Sequence, residues 1–236
     1  MRNTKKLRQF GIFLLIILLS TYLPQTIGLY VAIILGLGAD VYSLILTIGL
    51  VGIYLLLIWW LKKKKMLFIF EKKGWRWSYL AFLVACFLIY SFLNGFRMQN
   101  IRLIDHSFIF QDLLSELYLN GRETTLSSLI FLIFNISIVP VVEETIYRGY
   151  FMNTFFPKSE FYLDVILSSF IFGLSHLILS HRDPISLIIY SILGLLFAVA
   201  YRVTGSLRFT IVCHSFYNAI PYAPSILFYI YYLIFR

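Results

Sequence analysis

Residues 126–150 read LSSLIFLIFNISIVPVVEETIYRGY, and this stretch decides the class of protein to which the chain belongs. Its first part is an apolar run of the length that a helix needs to cross about 30 Å of hydrocarbon. Its second part carries Glu143, Glu144 and Arg148. Ionisable side chains are costly inside a membrane helix, and those that occur there usually mark a functional site. The stretch therefore predicts a membrane helix with a functional site.

The composition of the whole chain agrees with this interpretation. Of its 236 residues 60% are apolar, and the mean hydropathy is +0.85. These values exclude an ordinary soluble domain and predict an all-α, polytopic membrane helix bundle. The first apolar segment lacks a small-residue cleavage site, so we interpret it as a retained helix and not as a signal peptide.

Apolar runs and their breaks predict about eight transmembrane helices. Seven is the alternative if the last two, which are short for a full span, are not separate spans. The predicted helices are 10–35, 41–61, 77–96, 126–156, 161–180, 184–202, 207–220 and 222–235. Prolines mark several of the breaks, and Pro24 predicts a kink in the first helix. Residues 101–126 have the mixed pattern of an interfacial amphipathic segment.

Two regions follow from this layout. Residues 1–125 hold the N-terminal helices and the amphipathic outer segment, and residues 126–236 hold the helices with buried polar residues. We expect the two regions to pack as one membrane domain.

The formal charge of +9 is concentrated beside the apolar runs, which favours membrane topology and not nucleic-acid binding. With both termini cytoplasmic, 15 of the 20 Lys and Arg residues fall on the cytoplasmic side. The run Lys62–Lys65 is typical of a topology anchor, with binding of an anionic lipid as the alternative. Cys86 and Cys213 do not form a CxxC pattern and are predicted to be packing residues.

Helical geometry separates the two adjacent glutamates. Glu144 and Arg148 lie four residues apart on one face, whereas Glu143 points about 100° away, towards Tyr147. One carboxylate can thus be paired and the other left free. A buried pair that only fixes helix register is the simpler alternative for Glu144 and Arg148.

Three further polar residues occur on later predicted helices: His176, His214 and Asn218. Any one of them could be an interhelical hydrogen-bond partner. Together with Glu143 they supply a carboxylate, two imidazoles and an amide, which are the groups needed to activate water and to stabilise an oxyanion. His214 lies only seven residues after the predicted start of its helix, so that helix must tilt, start late or sit lower for His214 to reach Glu143.

The polar residues form an ordered set of motifs. They are Glu-Glu-x-x-x-Arg at Glu143, Glu144 and Arg148, Phe-x-x-x-His at Phe172 and His176, and His-x-x-x-Asn at His214 and Asn218. The set resembles the three motifs of the CAAX-protease and bacteriocin-processing (Abi) family of intramembrane endopeptidases. The resemblance covers roughly residues 126–219.

The resemblance implies hydrolysis of a peptide bond. Glu143 and His176 would bind and activate the attacking water, and His214 and Asn218 would stabilise the oxyanion. It also implies supporting roles for three other residues. Glu144 and Arg148 would orient their helix as a pair, and Phe172 would pack beside His176.

The cofactor is left open between two alternatives. Glu143, His176 and His214 could bind zinc, or the glutamate could act without a metal. The sequence has no HExxH motif, in which two His ligands and a catalytic Glu share one helical face.

We expect the substrate to be a membrane-associated peptide or membrane protein, and the location to be a bacterial cytoplasmic membrane. For a bacterial chain an unprenylated leader, pheromone precursor or bacteriocin-related peptide is favoured over a prenylated one. The alternative function is a non-catalytic membrane binding protein for bacteriocin self-immunity or sensor-kinase regulation. A proton-relaying transporter is a third hypothesis, against which the absence of an internal repeat argues.

Overall fold

The fold is all-α over the part of the chain that the structure describes. In this computed structural model the described residues are 2–22, 31, 34–35, 39–71, 73–74, 76–99, 126–157, 159–178 and 184–235. They contain no strand, which confirms the predicted fold class. The predicted kink at Pro24 and almost all of the predicted segment 101–126 lie outside them. His106 and His181, to which the sequence assigns no catalytic role, also lie outside the described residues.

Seven long helices follow one another along these residues. They are α1 (Arg2–Ile17), α2 (Ala39–Lys63), α3 (Ser78–Gln99), α4 (Leu126–Glu144), α5 (Leu163–His176), α6 (Pro184–Thr204) and α7 (Leu207–Phe235). A π-helix, Leu18–Tyr22, extends α1, and a 3₁₀ helix, Leu67–Phe70, lies between α2 and α3. A second π-helix, Thr145–Met152, directly continues α4 and ends in the short helix Asn153–Phe155. We call Thr145–Met152 the π-segment.

The prediction of two separate C-terminal helices was wrong. Residues 207–220 and 222–235 form the single 29-residue helix α7, which runs through Pro221. Membrane helices tolerate proline because neighbouring groups can satisfy the backbone carbonyl that it leaves unpaired. At 1.5 Å per residue α7 is about 43 Å long, enough for one full crossing. Its two ends therefore lie at different levels.

The outward faces of the helices are apolar. Two helices are long and apolar enough to cross a membrane, Leu44–Lys63 and Pro184–Thr204, and only 17% and 33% of their most apolar windows are buried inside the protein. Large apolar side chains stand at the surface, with Trp77 81% and Phe92 70% exposed. Apolar surface on this scale favours contact with lipid.

The N-terminal helices pack directly on the motif-bearing ones. Phe13 of α1 lies 4.9 Å from Phe151 of the π-segment, measured between ring centroids, and Trp60 of α2 lies 4.8 Å from Tyr150. All eight residues of the π-segment are buried. The π-segment is thus the centre of the larger apolar core, between α1 and α2 on one side and α5 on the other.

A second apolar cluster joins α3 to α6 and α7. Cys86 and Cys213 are both fully buried in it, and the Cys86 thiol lies 3.7 Å from the carbonyl oxygen of Cys213. Both are free cysteines that fill space between α3 and α7, as expected for packing residues.

Arg202, near the end of α6, fixes the start of α5. Its guanidinium forms an ion pair with Asp164 in the first turn of α5 and donates a hydrogen bond of 2.8 Å to the Ser159 carbonyl. It also lies 4.2 Å above the ring of Tyr162, the residue that precedes α5. Because Asp164 is almost fully buried, this ion pair is well shielded from solvent.

Small residues allow α5 and α6 to approach closely. A Cβ atom added at Gly173 would lie 2.7 Å from the backbone oxygen of Leu187 and 2.9 Å from the backbone nitrogen of Ser191. One added at Gly194 would lie 3.0 Å from the Ser169 backbone. Backbone atoms cannot move aside as a flexible side chain can, so these glycines set the distance between the two helices.

We expect Gly173→Ala to lower the free energy of unfolding by about 1–3 kcal/mol, the usual cost of overpacking a core. The measurement is denaturant unfolding of the purified protein in detergent micelles. Gly52→Ala in α2 is the matched control, because a Cβ there would meet nothing within 4 Å. Equal stability of the two variants would contradict the close approach of α5 and α6.

Candidate active site

Three helices bring an acid and two imidazoles together. Glu143 lies at the end of α4, His176 is the last residue of α5, and His214 lies in the second turn of α7. Glu143 Oε1 is 3.9 Å from His176 Nε2, and Glu143 Oε2 is 3.6 Å from His214 Nε2. The two histidines thus contact the two oxygens of one carboxylate, and His214 lies at the level of Glu143.

The second ring nitrogen of His176 fixes its tautomer. His176 Nδ1 lies 2.8 Å from the carbonyl oxygen of Phe172, which can only accept a hydrogen bond. Nδ1 therefore carries the hydrogen, and in a neutral ring Nε2 keeps its lone pair on the side of Glu143. The ring also stacks on Tyr190 at a centroid distance of 3.9 Å.

The Nδ1 atom of His214 is also hydrogen-bonded, in this case to a carboxylate. Its Nδ1 lies 2.9 Å from Glu144 Oε1, so Nδ1 donates to Glu144 and Nε2 is directed to Glu143. Phe197 of α6 stacks on the ring at a centroid distance of 4.5 Å. His214 thus lies between the two adjacent glutamates of α4.

Glu144 and Arg148 form the pair expected from their spacing. Arg148 Nη1 lies 2.9 Å from Glu144 Oε1, and both side chains are fully buried. The other terminal nitrogen, Nη2, donates to the Gly194 carbonyl at 2.8 Å and so ties the π-segment to α6. Buried charges need partners and hydrogen bonds, and Arg148 obtains them from two helices.

The two glutamates differ in access. The Glu143 side chain is 15% exposed, and the His176 side chain beside it is 12% exposed, whereas Glu144 is fully enclosed. A small molecule can therefore reach Glu143 but not Glu144. The pairing of Glu144 with Arg148, and not of Glu143, agrees with the face argument.

Phe172 packs among the charged groups. Its ring lies 4.8 Å from the Arg148 guanidinium, and its centroid is 4.5 Å from that of His176 and 5.9 Å from that of His214. A cation over an aromatic face is attracted by the ring quadrupole. Phe172 thus keeps Arg148 and both imidazoles at fixed spacing.

Asn218 makes an interhelical contact. It lies one turn after His214 on the same face of α7, and its Nδ2 donates to the Asn135 carbonyl of α4 at 3.2 Å. This bond orients the amide and ties α7 to α4. An amide NH₂ has two hydrogens, so one bond to Asn135 uses only part of its donor capacity.

Several residues of this site were not singled out from the sequence. Tyr147 and Ser175 form a buried hydrogen bond of 2.7 Å between α4's π-segment and α5. Tyr190 and Phe197 of α6 stack on the imidazole rings of His176 and His214, respectively. Ser175 directly precedes His176 in the motif region, which is a usable signal, but the aromatic residues are hidden among the 17 Tyr and 23 Phe of the chain.

The facing atoms of Glu143, His176 and His214 lie farther apart than the ligands of an ideal tetrahedral zinc ion, and the choice between zinc and a glutamate without a metal stays a prediction. Ligands about 2.0–2.1 Å from a tetrahedral zinc ion lie about 3.3 Å from one another. The measured separations of 3.6 and 3.9 Å are longer. Within the described parts of the chain, no group of three or more His, Cys, Asp or Glu side chains is arranged to hold a metal ion.

Comparison with known families agrees with this geometry. Residues 125–220 match the family model described as Type II CAAX prenyl endopeptidase Rce1-like. This part of the chain is similar to that family. The matched range contains every residue of the three motifs, so the resemblance to CAAX proteases is confirmed. No curated protein and no solved structure matched the chain.

The Rce1-like segment begins just before α4 and ends inside α7. The family is membrane-embedded, which agrees with the apolar outward faces of the helices, and its description names endopeptidases. Helices α1 to α3 lie outside the match. Of these helices, α1 and α2 contact the π-segment through apolar side chains, and α3 packs on α6 and α7.

We expect Arg148→Met to lower the free energy of unfolding by about 3–5 kcal/mol, because Glu144 would keep its buried charge without its main partner. Unfolding in detergent micelles measures this, with Arg8→Met at an exposed position as the control. The double variant Glu144→Gln/Arg148→Met should recover part of the loss. A single variant as stable as the Arg8 control would contradict the paired interpretation.

Proposed function

We propose that the chain is an intramembrane endopeptidase that hydrolyses a peptide bond in a membrane-associated peptide or protein. One observation carries the proposal: the Nε2 atoms of His176 and His214 both face Glu143, the one glutamate of the motif that is partly exposed. The Rce1-like match supports the reaction class.

Glu143 and His176 are suited to hold the attacking water. Both are hydrogen-bond acceptors at the facing atoms, and these atoms are 3.9 Å apart. A water molecule about 2.8 Å from each can donate one hydrogen to Oε1 and the other to Nε2. Its lone pairs then point away from both side chains, towards a carbonyl carbon. As the oxygen attacks, Glu143 takes the proton as the general base.

The tetrahedral intermediate needs donors for its oxyanion. Because the Glu144 carboxylate accepts the Nδ1 hydrogen of His214, Nε2 can donate only when the ring is an imidazolium. That form balances the charges of the site, with Glu143 and Glu144 opposite Arg148 and His214. A hydrogen of the Asn218 amide is the second donor that we assign to the oxyanion.

Collapse of the intermediate completes the reaction. The C–N bond breaks as Glu143 returns its proton to the leaving amine, and the other product is a carboxylic acid that holds the second hydrogen of the water. The acid passes this proton to the amine, so the products are a carboxylate and an ammonium group. Water supplies the oxygen and both hydrogens, so Glu143 ends each cycle ionised. The chemistry needs no group outside the four side chains and the water.

The proposed location is a bacterial cytoplasmic membrane. The positive-inside rule supports a cytoplasmic position for the N-terminus and for the exposed Lys62–Lys65 run. We favour an unprenylated peptide, such as a leader, pheromone precursor or bacteriocin-related peptide. A prenylated CAAX peptide is the substrate class that the family description names.

We expect Glu143→Gln to lower the rate of peptide cleavage by at least about 10³-fold, because the general base is lost while the side-chain shape is kept. The probes are a fluorogenic farnesylated CAAX peptide and the same peptide without the lipid. In cells the precursor substrate should accumulate in the membrane-peptide profile of the variant.

Glu160→Gln at an exposed position is the control, with unchanged cleavage expected. A Glu143→Gln chain that keeps the biological function of the parent would refute the protease proposal and favour the binding-protein alternative.

We expect cleavage to continue after metal removal, because the spacing of Glu143, His176 and His214 exceeds that of ligands sharing one zinc ion. The test is the cleavage rate after dialysis against EDTA and 1,10-phenanthroline, with residual zinc measured by mass spectrometry. Loss of cleavage that added Zn²⁺ restores would show that the three residues do bind a metal.

A further inference from the structure

Tyr147 lies where it can control the position of His176. It follows Glu143 by four residues, so one face of α4 and its π-segment carries both the acid and this phenol. Its hydroxyl donates to Ser175 Oγ at 2.7 Å across the gap to α5. Tyr147 is 2% exposed and Ser175 is 6% exposed, so water does not compete for this bond.

Ser175 passes the contact to the carbonyl that holds His176. Its hydroxyl donates to the Phe172 oxygen at 2.8 Å, and His176 Nδ1 is hydrogen-bonded to the same oxygen at 2.8 Å. A continuous set of hydrogen bonds therefore runs from Tyr147 through Ser175 and Phe172 to His176. In low-dielectric surroundings such a set is stronger than the same bonds in water.

The end of α5 needs such an anchor. His176 is the final α-helical residue of α5, and the helix changes to a π-helix at Leu177 and Ile178, so the regular α-helical hydrogen-bond pattern ends at His176. Tyr147 itself is fixed by two further contacts with α5. Ser168 Oγ donates to the Tyr147 carbonyl at 3.3 Å, and the Phe172 ring packs edge-on against the Tyr147 ring at 5.2 Å between centroids. Both the backbone carbonyl and the side-chain hydroxyl of Tyr147 are thus hydrogen-bonded to α5.

We propose that Tyr147, acting through Ser175, is a positioning residue that sets the gap between Glu143 and His176 in which the water is held. The proposal rests on the proposed function and deepens it. Packing alone does not account for the hydroxyl, because the ring contacts with Phe172 and Phe13 would be the same for phenylalanine.

The test compares Tyr147→Phe with Tyr150→Phe in the full chain. Tyr150 is an equally buried tyrosine of the π-segment whose ring packs on Trp60 and Phe13, away from His176. We expect Tyr147→Phe to lower kcat about tenfold, since small misplacements of reacting groups reduce the rate. KM should change by less than about twofold, and the melting temperature by no more than about a few degrees. Tyr150→Phe should keep the kcat of the parent.

Ser175→Ala completes a double-mutant cycle. If the two hydroxyls act through one shared hydrogen bond, the double variant Tyr147→Phe/Ser175→Ala should have a kcat no lower than that of the single variant with the lower kcat. Multiplying losses would show that the two residues act separately and would overturn the connection.

Hydrogen exchange provides a readout that needs no substrate. The backbone amides of residues 173–178 should exchange severalfold faster in Tyr147→Phe than in the parent and in Tyr150→Phe, because the last turn of α5 opens more often. Equal exchange in all three chains overturns the positioning role, even if neither peptide probe is cut. Unchanged kcat in Tyr147→Phe beside an inactive Glu143→Gln also overturns it and leaves the protease proposal intact.

Discussion

The site depends on one buried set of charges, in which Glu144 accepts hydrogen bonds from both Arg148 and His214. A buried carboxylate needs donors, and the two that reach Oε1 of Glu144 belong to the π-segment and to α7, whereas Oε2 has no hydrogen-bond partner among the described residues. Arg148 also reaches the Gly194 carbonyl of α6. Three parts of the fold are therefore held in register by the electrostatic requirement of one side chain.

The same arrangement allows Glu143 to remain accessible. The neighbouring glutamate pairs with both Arg148 and the Nδ1 of His214. Glu143 makes longer contacts, of 3.9 and 3.6 Å, with the Nε2 atoms of the two imidazoles. Two identical side chains thus have opposite environments, one enclosed and paired, the other partly exposed. This asymmetry comes from the helix period, which turns adjacent residues to different faces.

Aromatic residues supply the rigidity that the polar groups need. Tyr190 and Phe197 stack on the two imidazoles, and Phe172 lies between them against Arg148. A membrane interior cannot rely on the hydrophobic effect to assemble helices, so close packing and interhelical hydrogen bonds do this work. The glycines between α5 and α6 have the same function, since they permit backbone contact at the position of the site.

The sequence by itself determined the helical class, the membrane setting and the motif residues, because hydropathy and helical spacing are local properties. It also predicted the Glu144–Arg148 pair, since residues four apart on a helix must be neighbours. It failed at Pro221, where local rules predict a break and the surrounding membrane fold keeps α7 continuous. Only the tertiary structure decided that Glu144 also binds His214, that Asn218 contacts Asn135, and that Tyr147 reaches Ser175. These are contacts between helices, and the distance between two helices depends on the packing of the whole bundle and not on any one segment of the chain.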